Sequence, residues 1–402
     1  MDRNRPRWCP QAKFVMVVGL AGLASSALSA CSSDASQNNP STAGSSGSTG
    51  SSQVAGSSGA GTSGTGGAGG TDASATAQTQ AIVDATNAFL ATLTSDQAAS
   101  VQFAFDRPAA SSAANYSGRL GEQYGKAEWS NYPVSDVPRP GLKRGSLTDA
   151  QITAETTLLQ TVLSSAGYQK VLDIMGADEA LSEAGTNFES GTAAYTIAIL
   201  GTPSTTAPWM IEFGGHHLGL NIVIDGDRGT VAPTLTGAQP AVYQSNGKTV
   251  RALAAENDKA FALLDALNDT QRAQAILGYT VSDLVLGPGK EGATLVPEGV
   301  KASAMTEAQR TMLLDVINEW VGILQPAYVT ARMADINKNL DETYFAWSGA
   351  TTHATDKNGS SYYRIQGPTL VIEFSPQGVG GDPTNHVHTV YRDPTNDYGH
   401  TW

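Results

Sequence analysis

The sequence predicts an α+β protein: helices packed on a largely antiparallel sheet, forming a single globular domain over residues 78–402 behind a disordered tether. Three observations carry this. Four stretches repeat a helix-start signal, five others are rich in β-branched and aromatic residues, and the two kinds come in blocks, helices then strands, twice over. Alternating helices and strands would indicate a doubly wound parallel sheet, whereas blocks favour antiparallel pairing with helices laid on the sheet. No second linker of tether-like composition interrupts the domain.

Residues 1–30 read as a lipoprotein signal peptide. Arg3, Arg5, Arg7 and Lys13 form a basic start, and an apolar stretch runs from Phe14 to Ala30. It ends in Leu28-Ser29-Ala30-Cys31, a lipobox pattern that would make Cys31 the lipidated first residue of the mature chain. Ser32, in place of an Asp, favours the outer membrane or cell surface within the envelope. The expected partner there is the membrane, reached through lipidated Cys31. Residues 31–77 are almost wholly Ser, Gly, Ala and Thr, too poor in apolar groups to offset the entropy of ordering. Such a coil spans about 35–40 Å. Its Gly59, Gly61 and Gly64 spell a dinucleotide-binding pattern with no strand before it, which is compositional.

In the domain, Thr94, Thr148, Asn268 and Thr306 each stand three residues before a Gln and beside an acid, the capping-box arrangement. Each follows Leu or Met. Their irregular spacing argues against a solenoid. After Thr306, residues Leu313, Ile317, Trp320 and Leu324 share one helical face, and Pro326 is expected to stop or kink that helix. Strands are expected at 193–200, 209–225, 361–366, 368–375 and 385–392, with turns at Gly226-Asp227 and Gly367-Pro368. The 209–225 run is long enough for one bent strand or two, with a bulge at Gly214-Gly215.

Chemistry is bounded by composition. A net charge of −13 excludes a nucleic-acid binder, because phosphate neutralisation needs clustered Lys and Arg. The two cysteines, Cys9 and Cys31, leave the domain without thiolate chemistry. No GxSxG elbow occurs in the domain, and Gly287-Pro288-Gly289-Lys290 lacks the spacing of a phosphate loop.

Four of the six histidines come in two pairs. His386 and His388 are two apart in a strand, so both leave one face about 6.5–7 Å apart and can converge on one metal. His216 and His217 are adjacent and would point to opposite faces. The alternation puts Met210, Leu218, Leu220, Ile222 and Ile224 in the core and His217 on the other face, flanked by Gly215 and Gly219, which would leave room for a ligand. His217 is therefore favoured for the site and His216 as a hydrogen-bonded inner residue, unless a bulge reverses them. Glu373 is a carboxylate inside an apolar strand, which needs a cation, a partner or a catalytic purpose. It could be a fourth ligand, a general base, or the partner of Arg364 or Arg392. Such a set suits a divalent transition metal such as Zn, Mn, Fe or Cu. A metal-free polar site and purely structural histidines remain the alternatives. Tyr362, Tyr363 and Trp347 could stack on a sugar, but aromatics beside strands are more often core.

The chain also resembles a bacterial family, the domain of unknown function numbered thirty-five hundred. The resemblance rests on Trp129-Ser130-Asn131-Tyr132-Pro133, Arg139-Pro140-Gly141-Leu142, Gly214-Gly215-His216-His217-Leu218, Phe345-Ala346-Trp347-Ser348-Gly349, Tyr362-Tyr363-Arg364-Ile365-Gln366-Gly367-Pro368, Ile372-Glu373-Phe374 and Asn385-His386-Val387-His388-Thr389-Val390-Tyr391-Arg392-Asp393, in that order. It implies no activity, only that these segments form one signature.

The resulting expectation is an exported, lipid-anchored protein with a metal-dependent hydrolytic site. His217, His386 and His388 are its ligands, with His216 as the fallback from the second pair. Glu373 is ligand or general base, and Arg364 and Arg392 orient an anionic substrate group. The competing reading is a non-enzymatic surface module whose ligand is a glycan, a peptide or another small molecule.

Overall fold

Helix α1 (Gly69–Ala91) opens the part of the chain that the computed structural model describes, residues 69–106, 129–290 and 292–402. The predicted signal peptide, Cys31 and the tether up to residue 68 lie outside the described residues. Because α1 begins at Gly69 and Ala75 is already buried, helical structure starts inside the segment that composition assigns to the tether. Next come α2 (Ser95–Val101), β1 (Gln102–Phe103), β2 (Leu142–Lys143), α3 (Asp149–Val162) and α4 (Ser165–Ala184). Then follow β3 (Thr196–Leu200), β4 (Trp209–Gly215), β5 (Leu218–Asp225), β6 (Arg228–Thr230), β7 (Thr234–Ala238), β8 (Val242–Ser245) and β9 (Lys248–Arg251). The second block has α5 (Ala254–Ala266), α6 (Asp269–Ala275), β10 (Val300–Lys301), α7 (Glu307–Val321) and α8 (Pro326–Lys338). It closes with β11 (Tyr344–Ser348), β12 (Tyr362–Gly367), β13 (Leu370–Pro376) and β14 (Val387–Arg392).

All four expected capping boxes form. Thr94, Thr148, Asn268 and Thr306 each accept from the backbone N–H three residues on, and the Gln there accepts from the cap residue's own N–H. The glutamines also meet in pairs across helices, Gln97 with Gln151 and Gln271 with Gln309. Pro326 does not interrupt a helix. The α7 helix ends at Val321, and Pro326 occupies the first turn of α8, where its missing N–H costs nothing.

Among the described residues, twelve strands make one sheet with the path β1-β3-β4-β5-β7-β14-β13-β12-β11-β10, with β2 added on β3 and β6 on β5. Every pairing is antiparallel except β1 with β3. The centre of the path, β7 against β14, separates two halves that share one order of elements: helix, capped short helix, short edge strand (β2 or β10), capped helix, helix, then four sheet strands (β3, β4, β5 and β7, or β11 to β14), to which the first half adds β1, β6 and the separate β8–β9 hairpin. The bonds Ser164 N–H to Ile323 O and Gln325 N–H to Val162 O are mutual images under this repeat. So are the two-residue turns that join β4 to β5 and β12 to β13, with registers Gly215↔Leu218 and Gly367↔Leu370. The fold is thus a tandem pair about a pseudo-twofold axis, which explains four capping boxes without a solenoid.

The helices cover one face of the sheet and build the main core with Ile197, Trp209, Phe213, Leu220, Ile365 and Phe374. Among the described residues, non-repetitive chain at 129–141, 277–290 and 292–299 lies over the other face, which is unusually polar for buried surface: Asn221, Arg364, Glu373, Ser375, His388 and Arg392 all sit there. The register of 209–225 differs from expectation. A two-residue turn, not a bulge, divides it, so residue parity switches across His216-His217. Met210 consequently lies on the opposite face from Leu218 and Leu220, in a small cluster with Ala198, Leu200, Val223 and Tyr398.

Candidate metal centre

His216 and His217 are the two central residues of the β4–β5 turn. Of the two, only His217 has a positive φ, 62°, the sign pattern of a type II turn, whose third position glycine or Asn ordinarily fills. A non-glycine residue held there costs of order 1 kcal/mol or more, and such strain concentrates at functional sites. Gly237, on the neighbouring strand β7, lets the imidazole approach: a Cβ there would lie 3.3 Å from the His217 Cβ and 2.7 Å from the Val387 carbonyl oxygen. His386 immediately precedes β14 and His388 lies within it, so the hairpin tip of the first half meets a strand of the second.

The three side chains converge through Nε2. His386 Nε2 lies 3.1 Å from His217 Nε2 and 3.0 Å from His388 Nε2, and one nitrogen from each ring falls within 4.8 Å of the others. All three residues are buried, His217 at 2% exposure and the other two at 6%. Burial pulls the His217 and His388 pKa values well below 6.5, with the neighbouring imidazoles adding to it. His386 is lowered as well, again chiefly by burial, with the Val379 carbonyl and Asp283 opposing. The three rings are therefore neutral at physiological pH, the state in which imidazole donates a lone pair.

Outer contacts orient them. His386 Nδ1 lies 2.9 Å from the Val379 carbonyl, which can only accept, so Nδ1 carries the proton and Nε2 presents its lone pair to the centre. His388 Nδ1 meets the Asn131 side-chain amide at 3.0 Å. His216 is outside the converging group: its Nδ1 is 2.7 Å from Asp178 Oδ1 on α4, its carbonyl accepts from the Tyr195 hydroxyl, and its ring stacks on His217 at 3.8 Å between centroids. The geometry thus groups His217 with His386 and His388 and leaves His216 an inner hydrogen-bonded residue, through a turn and not through strand alternation. The room foreseen beside His217 is filled, by Trp129 over Gly219 and by the Tyr195 ring over Gly215.

A family model described as Protein of unknown function (DUF3500) matches residues 75–400. The chain belongs to this family. No curated protein and no solved structure matches it.

In this DUF3500 chain the remaining predicted site residues do other work. Glu373 lies outside the histidine group and is consumed by structure: Val285 N–H donates to Oε1 at 2.9 Å, Leu286 N–H to Oε2 at 2.7 Å, and the Tyr362 hydroxyl closes on Oε1. Burial and that carboxylate push the Tyr362 phenol far up. Arg392 is fully buried and grips Asp397 through Nε and Nη2 and the Leu286 and Lys290 carbonyls through Nη1. Arg364 donates to the Tyr362 hydroxyl and to Glu298. Glu373, Arg364 and Arg392 are therefore clamps that fasten the 277–299 segment to the polar sheet face. None of the three joins the histidine group, and each spends hydrogen bonds on that segment or on its neighbours, although the buried Arg364 Nε has no partner. Tyr362, Tyr363 and Trp347 are buried core, as the commoner case for aromatics beside strands has it.

Four residues that complete the site were not foreseen as part of it: Asn131, Asp178, Asp283 and Gln377. Gln377 donates its backbone N–H to the His386 carbonyl and its side chain to Asp283 Oδ1 and Ser375 Oγ, tying Asp283 to the histidine strand. Only Asn131 lay in a segment already singled out by resemblance. Asp178 sits in mid-helix among Ala177 and Glu179, a context that reads as solvent face.

Proposed function

We propose that His217, His386 and His388 hold one divalent transition metal, and that the centre is hydrolytic. The observation that carries this is the convergence of three neutral Nε2 atoms. The His386 nitrogen is an acceptor, so a metal-free centre must aim both neighbouring N–H groups at a single lone pair. A cation satisfies all three nitrogens at once. Around tetrahedral zinc three imidazole nitrogens stand about 3.3 Å apart, a few tenths of an ångström beyond the present spacing. An all-imidazole set suits zinc or a neighbouring transition ion and not magnesium or calcium, which prefer oxygen. With His388 as ligand, its Nδ1 carries the proton and Asn131 turns its carbonyl oxygen toward it.

Among the described residues the group has three protein ligands and no carboxylate or thiolate, an arrangement with a position free, as in catalytic rather than structural sites. Such a metal lowers the pKa of bound water and supplies a nucleophile. Purified full-length chain loaded with zinc is tested against p-nitrophenyl acetate beside chelator-treated protein and the His386→Ala variant. Turnover confined to the metal-loaded native chain supports the reading, and equal rates in all three samples refute it.

Anchoring belongs to the same proposal. The basic start, the apolar stretch, Leu28-Ser29-Ala30-Cys31 and the Ser/Gly-rich tether support an envelope lipoprotein held by lipidated Cys31. One acyl chain alone holds weakly, so stable anchoring needs the further acylation that lipoprotein maturation adds. Cys31→Ser should abolish lipid labelling and release or mislocalise the protein. A variant that stays membrane-bound with its apolar segment uncleaved contradicts it.

A further inference from the structure

A cavity of about 370 Å³ lies between the 130–132 segment and the 283–290 segment, with Ser130, Asn131, Tyr132, Asp283, Pro288 and Lys290 among its walls. Two of these residues reach the histidines. Asn131 touches His388 Nδ1 at 3.0 Å, and Asp283 is tied through Gln377 to the carbonyl of His386. The cavity therefore adjoins the outer contacts of the histidine centre, behind the His388 ring and the His386 carbonyl.

Its chemistry selects a ligand class. Asp283 has Oδ1 pinned by the Leu284 N–H and Gln377, which leaves Oδ2 to accept. Lys290 is exposed and makes no ion pair with a described residue. A singly charged ligand of either sign meets one repelling and one attracting group here, Asp283 and Lys290, so the pair gives no net preference for a cation or an anion. Both arginines that would have favoured an anion are committed elsewhere. An extended peptide is disfavoured because both walls are non-repetitive chain, with no strand edge for it to pair with. What remains is a neutral molecule with many hydroxyls, able to accept from Lys290 and Asn131 and donate to Asp283. Tyr132, 40% exposed on the wall, offers an aromatic surface for an apolar C–H face. We propose that this cavity binds a neutral sugar unit, which places the substrate of the metal centre among glycans or glycan conjugates. The assignment as substrate rests on the metal reading; the binding itself does not.

Saturation-transfer NMR on the full-length chain, as purified and after chelation, with millimolar glucose, galactose and N-acetylglucosamine and with tri-alanine for comparison, tests it. At least one saccharide should show contact, and Tyr132→Ala and Asp283→Asn, both surface changes, should each weaken binding about tenfold, the worth of one good charged hydrogen bond or ring contact. No saccharide contact, contact with tri-alanine alone, or saccharide contact unchanged in both variants overturns the proposal. Elemental analysis of the same samples keeps the two readings apart. Sugar binding without metal sinks the metal centre and leaves the cavity assignment standing, and metal without sugar binding does the reverse.

Discussion

His217 carries the strongest local cost in the site, a left-handed backbone and a buried neutral ring, and both can be read by substitution. His217→Asn keeps a residue that tolerates positive φ while removing the imidazole. The pH sign follows from burial. The folded chain refuses protons that the unfolded chain binds near 6.5, so stability of the metal-free protein falls as pH drops below about 6.5, by about 1.4 kcal/mol per pH unit for each such histidine. Glu155, pushed up to about 7 by burial with Arg144 against it, acts in the opposite direction between 4.5 and 7. The difference between native and His217→Asn melts across pH therefore isolates the histidine. We expect the variant to lose less stability on acidification, and parallel curves would show that His217 takes up protons in the fold as readily as in the unfolded chain. At Asn131 the expected readout is affinity: Asn131→Leu should weaken metal binding about 10- to 100-fold, as loss of an outer hydrogen bond to a ligating His does. A competition assay with a fluorescent zinc chelator measures it, and unchanged affinity would remove Asn131 from the site.

At the level of elements, the capping boxes and the polar clamps make separate predictions. Thr306→Ala removes the oxygen that accepts from Gln309 N–H at the head of α7 and should cost about 1 kcal/mol in urea unfolding without touching metal content. Glu373→Ala should be far more severe, about 3 kcal/mol, since it strands the Tyr362 hydroxyl and two backbone N–H groups in a buried place. Metal content of that variant should stay at the native level; a fall to zero would restore Glu373 as a ligand. These elements also show what sequence can reveal. Capping is local chemistry, so Thr94, Thr148, Asn268 and Thr306 were legible from four residues each. His386 and His388 were legible for the same reason, since two-residue spacing in a strand fixes a common face. The His216-His217 turn was not, because glycine or Asn normally marks such a turn and here His fills it. The parity of Met210 followed that error. Glu373 was misread because an apolar strand hides which loop will lie over it, and the partners Val285 and Leu286 are almost ninety residues away.

Over the whole molecule, the pseudo-twofold repeat gives the histidine centre its position. His217 comes from the β4–β5 turn of the first half, His386 and His388 from just before and within β14 of the second, and the two halves meet where β7 pairs with β14. A metal held there bridges the halves, and ligand bound only by the folded state stabilises it by mass action. Chelation should therefore lower the melting temperature of the native chain and leave that of His388→Ala unchanged; equal shifts in both would place the chelator's effect elsewhere. The repeat also shows that the second half lacks the same centre, since its matching turn is Pro368-Thr369, with Thr369 bonded to Arg332 and Asp335. One metal per chain is thus expected rather than two. Elemental analysis of the purified full-length chain, before and after zinc addition and dialysis, tests that claim directly. One transition-metal ion per native chain is expected, and almost none in His386→Ala. A native chain that carries no such ion and takes up none from added zinc would contradict it.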